Sequence, residues 1–259
     1  MIPRPADQGQ APECSGIRLI EPQWAAPASV HALSTTRSGG HSQGPYTGFN
    51  LGAGCGDNPR HVAKNRWLLR TVAGLPSEPV WLRQIHGTRV VDAPSATTAP
   101  RADASISTEA GVICAILSAD CLPVLLCDER GLQVAAAYAG WRGLAAGVLE
   151  ATVTAMGTHP ARLLAWLGPA IGPAAYEVGD EVRAPFIREV PGAQKAFQVS
   201  PNGRWLADLY ALARLRLKRI GVTRITGGEY CTHSDPQDFF SYRRDAVCGR
   251  MASCIWLQN

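Results

Sequence analysis

Ser118-Ala-Asp-Cys-Leu-Pro-Val-Leu-Leu-Cys127, followed by Ala135-Ala-Ala-Tyr-Ala-Gly-Trp-Arg-Gly143, decides how this chain folds. An apolar run over residues 112–117 is broken at the polar Asp120-Cys121 pair, resumes over 123–127 and is answered by a third run over 133–137. Runs of this length between turn residues read as buried strands. The Trp-Arg-Gly turn then opens an Ala-rich segment that reads as a helix over 143–156, stopped by Gly157.

Working outward, residues 80–83 and 88–92 read as two more short strands, and with the three runs above they form the expected central sheet. Upstream, 17–20 and 30–36 read as strands and lead into a glycine-rich loop from Arg37 to Gly52, long enough to carry function. Asp57-Asn-Pro is a helix start, and Val62, Trp67, Leu68, Leu69 and Val72 keep a helical period up to Gly74. Downstream, 163–167 reads as a strand, 179–190 and 205–220 as helices, and 224–226 and 251–257 as strands around a polar loop from Cys231 to Asp245. Strands and helices mix without strict alternation, and neither a G-x-G-x-x-G after a strand nor a Walker loop is present. The expected class is therefore α+β layers rather than a doubly wound sheet.

Length and composition set bounds. With 259 residues and 46% hydrophobic content the chain can bury a full core. No tether, repeat or low-complexity tract divides it, so a single domain over 17–259 behind a loose tail over 1–16 is expected. The tail lacks a basic start followed by an apolar run, and no stretch of about 18 apolar residues is present, so a soluble, cytoplasmic protein without membrane partners is expected. A formal charge of +4 is mild, and its densest basic stretch, Arg214 to Arg219, lies on a helix-like segment where charge is usually solvated. Nucleic acid is not an expected partner. Eight cysteines without a CxxC pair argue against a zinc ribbon and against a disulfide framework.

The chemistry-bearing residues each have a bland and a sharp reading. His86 closes an apolar strand before Gly87 and is either structural or functional. Cys121 interrupts two buried runs beside Asp120, at a free-energy cost unless the polar groups are partnered, and is either an inert thiol or a working thiolate. An imidazole and a thiolate together can hold zinc, or the imidazole can activate the thiol as a nucleophile; the residues leave both open. Arg142 stands at a helix entrance, where backbone N–H groups and a guanidinium favour an anion, or it is a surface Arg paired to a carboxylate. Arg37 and Asn50 in the glycine-rich loop, and Arg243 and Arg244 after Phe239-Phe-Ser-Tyr242, offer further anion or sugar contacts. The aromatic run is either a stacking platform or a core plug.

The strings Thr35-Thr-Arg-Ser-Gly-Gly40, Phe49-Asn-Leu-Gly52, Gln84-Ile-His-Gly87, Ser118-Ala-Asp-Cys-Leu-Pro123, Ala139-Gly-Trp-Arg-Gly143, Leu167-Gly-Pro-Ala-Ile-Gly172, Phe239-Phe-Ser-Tyr-Arg-Arg-Asp245 and Gly249-Arg-Met251 resemble the YfiH family. Its members are described as purine nucleoside phosphorylases and, under an older name, as laccase-like polyphenol oxidases. The resemblance implies a four-layer α/β/β/α sandwich that phosphorolyses adenosine and inosine, with methylthioadenosine cleavage and adenosine deamination as companions. It also implies zinc held by a His, a Cys and a second His. The first two fall on His86 and Cys121, and the position of the second His is Tyr138 in this chain. A phenol must lose its proton to ligate, so either Tyr138 binds as phenolate, water fills its place, or the site is impaired; His233 is a further candidate ligand.

The leading expectation is zinc-assisted purine nucleoside phosphorolysis by a monomer, with phosphate clamped by Arg142 and Arg37. Three others stand beside it. One is a metal-free hydrolase in which His86 activates Cys121 against amide bonds of cell-wall precursors. Another is a copper-dependent phenol oxidase, poorly matched by six histidines with no H-x-H pair. The last is a degenerate member that binds nucleosides without turnover.

Overall fold

The computed structural model describes residues 16–96 and 98–258. The tail read over 1–16, apart from Gly16, and Cys14 with it, lies outside the described residues. In chain order the strands are β1 (Leu19–Ile20), β2 (Val30–Thr35), β3 (Val80–Trp81), β4 (Val90–Asp92), β5 (Ala104–Ser107), β6 (Cys114–Ser118) and β7 (Leu122–Asp128). The others are β8 (Val134–Ala139), β9 (Leu163–Leu167), β10 (Glu177–Val178), β11 (Phe197–Val199), β12 (Trp205–Ala207), β13 (Arg224–Gly227) and β14 (Met251–Leu257). The helices are α1 (Pro59–Val72), α2 (Trp141–Ala146), α3 (Val148–Met156), α4 (Asp180–Glu189), α5 (Leu209–Arg219) and α6 (Tyr242–Asp245).

The runs expected to make one central sheet belong to two. β1-β2-β14-β6-β3 form a five-stranded sheet and β13-β9-β7-β8-β5-β4 a six-stranded one, with a small third sheet, β10-β12-β11. The physical reason lies in β7 and β8, which are buried on both faces. Leu122, Val124 and Leu126 of β7, with Ala135, Ala137 and Ala139 of β8, pack on α3, α4 and α5 through Val153, Phe186 and Leu212. The alternate residues, Leu125, Cys127, Ala136 and Tyr138, pack on Cys114, Ile116, Ile255 and Leu257 of the other sheet. The far face of that sheet takes α1 through Leu68 and Leu69 against Leu33, Ala115 and Cys254. The result is four layers, helix on sheet on sheet on helices, as the resemblance implies. Each fully buried Leu or Ile in these layers contributes about 1.5–3 kcal/mol relative to exposure.

Local chemistry explains the element ends. Asn58 caps α1 by accepting the Arg60 N–H at 2.9 Å, with Pro59 as the first helical residue. Buried Asp128 closes the β7–β8 hairpin, its Oδ1 accepting from the backbone N–H groups of Leu132 and Gln133 at 2.6 and 2.8 Å. The helix expected over 143–156 is two helices, because Gly147 takes φ +100 between α2 and α3. The helix expected over 205–220 begins only at Leu209, capped by Asp208, which accepts the Ala211 N–H at 2.9 Å. Residues 205–207 are instead β12, hydrogen-bonded to β11 across the Asn202-Gly203 turn.

Candidate active site

Two chain crossings between the sheets build the site. The crossing from β3 to β4 carries His86, and the crossing from β6 to β7 carries Cys121. Both contain a non-glycine residue with positive φ, His86 itself at +58° and Asp120 at +89°. Such a conformation costs on the order of 1–3 kcal/mol per residue and persists only where its surroundings over-determine it. At Asp120 the restraint is its buried carboxylate, which accepts the Thr232 hydroxyl and the Arg243 backbone N–H, each at 2.6 Å. At His86 it is the fully buried carboxylate of Asp103, which accepts the backbone N–H groups of Ile85, His86 and Gly87 at 2.9, 2.8 and 2.7 Å.

The two side chains converge. A Cβ built on Gly140 would stand 3.1 Å from Cys121 Sγ, 3.3 Å from His86 Nδ1 and 3.3 Å from Tyr138 Cε1, so all three surround the glycine. The His86 and Tyr138 rings meet edge to face with centroids 5.2 Å apart. Burial pushes the Cys121 thiol up; the Tyr138 phenol as hydrogen-bond partner pulls it down, and Asp120 raises it further. Burial, and then Cys121, hold the Tyr138 phenol well above its ordinary range.

These residues line a cavity of about 1060 Å³, together with Arg142 and Arg243. Arg142 stacks over the Trp141 ring at 4.5 Å, and among the described residues it forms no ion pair. It is the second residue of α2, a helix of only six residues. Arg243 donates from its Nη1 to the Glu177 carbonyl at 2.7 Å and lies over the Tyr176 ring.

Three residues singled out in the sequence are not on the cavity wall. The Arg37 guanidinium donates to the carbonyls of Pro236 and Thr47 and covers the Phe240 ring. Asn50 is fully buried, donating to Asp57 and accepting the Arg250 N–H at 2.8 Å. Arg244 fastens its own loop, donating to the carbonyls of Thr232, His233 and Phe239. His233 is likewise off the wall, and Phe239 and Phe240 are core plugs, 1% and 0% exposed. Sequence reasoning missed Arg83 and Tyr176, and gave no site role to Asp120 and Arg250, which it met only in motif strings; all four line the cavity. For Arg83 the available signal was its place one residue before Gln84-Ile-His-Gly87.

The donor set tests the metals implied. Catalytic zinc takes three protein ligands of nitrogen, sulfur or carboxylate type and leaves one position open. His86 and Cys121 supply two such donors, the third neighbour is a phenol, which is outside that ligand set and must lose its proton to bind, and no group of three His, Cys, Asp or Glu suited to a metal exists among the described residues. The residues therefore do not fit a three-ligand zinc site. A multicopper centre needs many imidazoles, and His86 is the single histidine on this wall.

The chain is thus a mixed α/β sandwich with an Arg-lined cavity at the crossings between its sheets, and comparison identifies its family. Residues 31–258 match the family described as multi-copper polyphenol oxidoreductase laccase, and the chain belongs to that family. It is 54% identical over 241 residues to the purine nucleoside phosphorylase YfiH of Escherichia coli (strain K12), covering 93% of this chain and 99% of that protein. It is 45% identical to a purine nucleoside phosphorylase of Haemophilus influenzae, covering 93% and 100%. The crystal structure of Neisseria meningitidis protein NMB0706 superposes with a TM-score of 0.90 at 51% identity, over 93% of this chain and 99% of that one.

Proposed function

We propose that the chain is an enzyme of the purine nucleoside phosphorylase type, acting on adenosine and inosine, and on methylthioadenosine, with inorganic phosphate as second substrate. The observation that carries this reading is a pair of guanidiniums, Arg142 and Arg83, that face the cavity without an ion-pair partner among the described residues, beside His86 and aromatic Trp141 and Tyr176. The relatives' names point the same way. Arg142 and Arg83 hold phosphate and orient one oxygen. That oxygen forms a bond to the anomeric carbon as the bond from this carbon to the purine nitrogen breaks. The electron pair leaves on the purine, which takes a proton from His86 or from water, and ribose 1-phosphate and the free base result. No step is assigned to a metal, and adenosine deamination, which needs an activated water, is not part of this reading. Residues 17–259 act as one catalytic domain, a reading supported by pairing of β2 with β14 from opposite ends of the chain.

Purified protein is incubated with inosine, with and without phosphate, and hypoxanthine is followed. Phosphate-dependent release is expected, and its absence overturns the reading. A second reading, a Cys–His hydrolase, is favoured by the convergence of His86 and Cys121 on Gly140 and opposed by the shift of the half-buried thiol away from its ionised form. Alkylation of Cys121 separates the two, because a thiol nucleophile loses all activity on alkylation, whereas phosphorolysis with phosphate held by Arg142 retains a part.

A further inference from the structure

We infer that Asp103 is the positioning residue of the site, setting the His86 turn and the Tyr138 wall from one buried carboxylate and its own carbonyl. The inference rests on the phosphorylase reading only for its kinetic arm. Asp103 stands one residue before β5, is fully buried, and is not on the cavity wall, so it acts through others and touches no substrate. Its Oδ1 accepts two consecutive N–H groups, Ile85 and His86, and its Oδ2 accepts the third, Gly87. Three successive amides aimed at one carboxylate form an anion-binding nest, here filled by the protein's own side chain. A buried charge persists only when paired in this way, and the hydrogen bonds to it are of the stronger, charge-assisted kind.

The same residue serves the opposite wall. The Asp103 carbonyl accepts the Tyr138 N–H at 2.7 Å, which ties β8 to the segment that grips the His86 turn. The turn is approached closely from its other side as well: a Cβ on Gly143 would lie 2.8 Å from the Gly87 carbonyl oxygen, whereas a Cβ on Gly87 would meet Asp103 Oδ2 at an ordinary 3.4 Å. The carboxylate receives all three amides of the turn that holds His86 at positive φ, so its loss is expected to release the imidazole from its place beside Cys121.

Asp103→Asn preserves volume but offers one accepting oxygen where two are needed and points an N–H₂ group at a backbone donor. The expected result is a fall in kcat of about 10²-fold, the cost of a displacement near 1 Å, with KM for the nucleoside within a few-fold of the parent. A merely structural role lowers the melting temperature and leaves kcat per folded molecule unchanged, which overturns the inference. Two readouts are independent of phosphorolysis. In the parent, alkylating Cys121 is expected to shift the His86 ring resonances in NMR spectra, and in Asp103→Asn that response disappears. If the response persists in the variant, the inference fails even where the phosphorylase reading stands or falls separately. Should the variant not fold, hydrogen exchange of the parent decides: the amides of Ile85, His86 and Gly87 are expected to be protected although Ile85 and His86 are exposed residues. Exchange at unstructured rates overturns the inference.

Discussion

Gly140 lies against Cys121 so closely that a Cβ at that glycine would stand 3.1 Å from the sulfur. The same methyl would meet His86 Nδ1 and Tyr138 Cε1, each at 3.3 Å, so the space above Gly140 is the meeting point of the site. Gly140→Ala is expected to fold, with a loss of roughly 1–3 kcal/mol as these packed neighbours shift by tenths of an ångström. Turnover should fall by about tenfold or more. Thermal melting and steady-state kinetics check both, and unchanged turnover would show that the three side chains do not act at a common point.

Arg142 faces the cavity with no ion pair among the described residues. Arg142→Ala is expected to raise KM for phosphate about 10- to 100-fold, equivalent to losing roughly 1.5–3 kcal/mol of charged hydrogen bonding. Arg142→Lys restores the charge but not the fork, and should recover only part. Phosphate titration at saturating inosine is the measurement; equal KM values in all three proteins would place phosphate elsewhere.

Tyr138 is the donor that falls short of a zinc set. Tyr138→His puts a neutral imidazole among His86, Cys121 and Gly140, completing three donors that zinc accepts. Elemental analysis after purification without added metal should show zinc rising from well below one per chain toward one. No gain in zinc would mean that the backbone of β8, rather than the side chain, keeps the third position from the metal.

The thiols give an alkaline stability limit. Burial pushes Cys114, Cys127 and Cys254 up to about 12 in the folded protein. The unfolded chain ionises them near the ordinary value of 9.0, so above that pH ionisation favours the unfolded state and their contribution is progressively lost until pH about 12. Burial raises Cys231 too, but the Ser234 hydroxyl and the N–H groups of Gly172, Ser234 and His233 outweigh it and lower the thiol overall, so it works in the opposite direction. Burial raises Cys121 and Cys248 as well, so with five raised thiols against one lowered, the melting temperature of reduced protein should fall as pH rises from 9 to 12, and Cys254→Ala should flatten part of that fall.

α3 and α5 are joined by Glu150 and Arg216, whose Nε donates to the carboxylate at 2.7 Å while Nη1 donates to the Ala145 carbonyl. Arg216 has a nearly buried side chain, so Glu150→Ala leaves a desolvated guanidinium short of its anion. A loss of roughly 1.5–3 kcal/mol is expected in denaturant unfolding, with activity unchanged per folded molecule.

How much of this was legible in the sequence varies by element. β7 and β9 were readable because their apolar runs are continuous, and α1 because Asn58-Pro59 marks its start. β5 escaped because Ala104-Ser-Ile-Ser107 has small side chains and little strand propensity; it is held by pairing with β8 and β4. The division into two sheets was invisible because it depends on which face each buried run turns to which neighbour. The Asn202-Gly203 turn was a readable hairpin signal that the apolar period of the following helix overrode. In the site, motif strings marked His86, Cys121 and Arg142, whereas Asp103 carries no motif and matters through three backbone amides that only the folded chain presents.

The passage from Ser118 to Leu122 takes only three intervening residues to leave one sheet and enter the other. Adding a single residue there would turn β7 by half a period, sending Leu122, Val124 and Leu126 toward the partner sheet and Leu125 and Cys127 toward the helices. Length at this point is thus as constrained as chemistry.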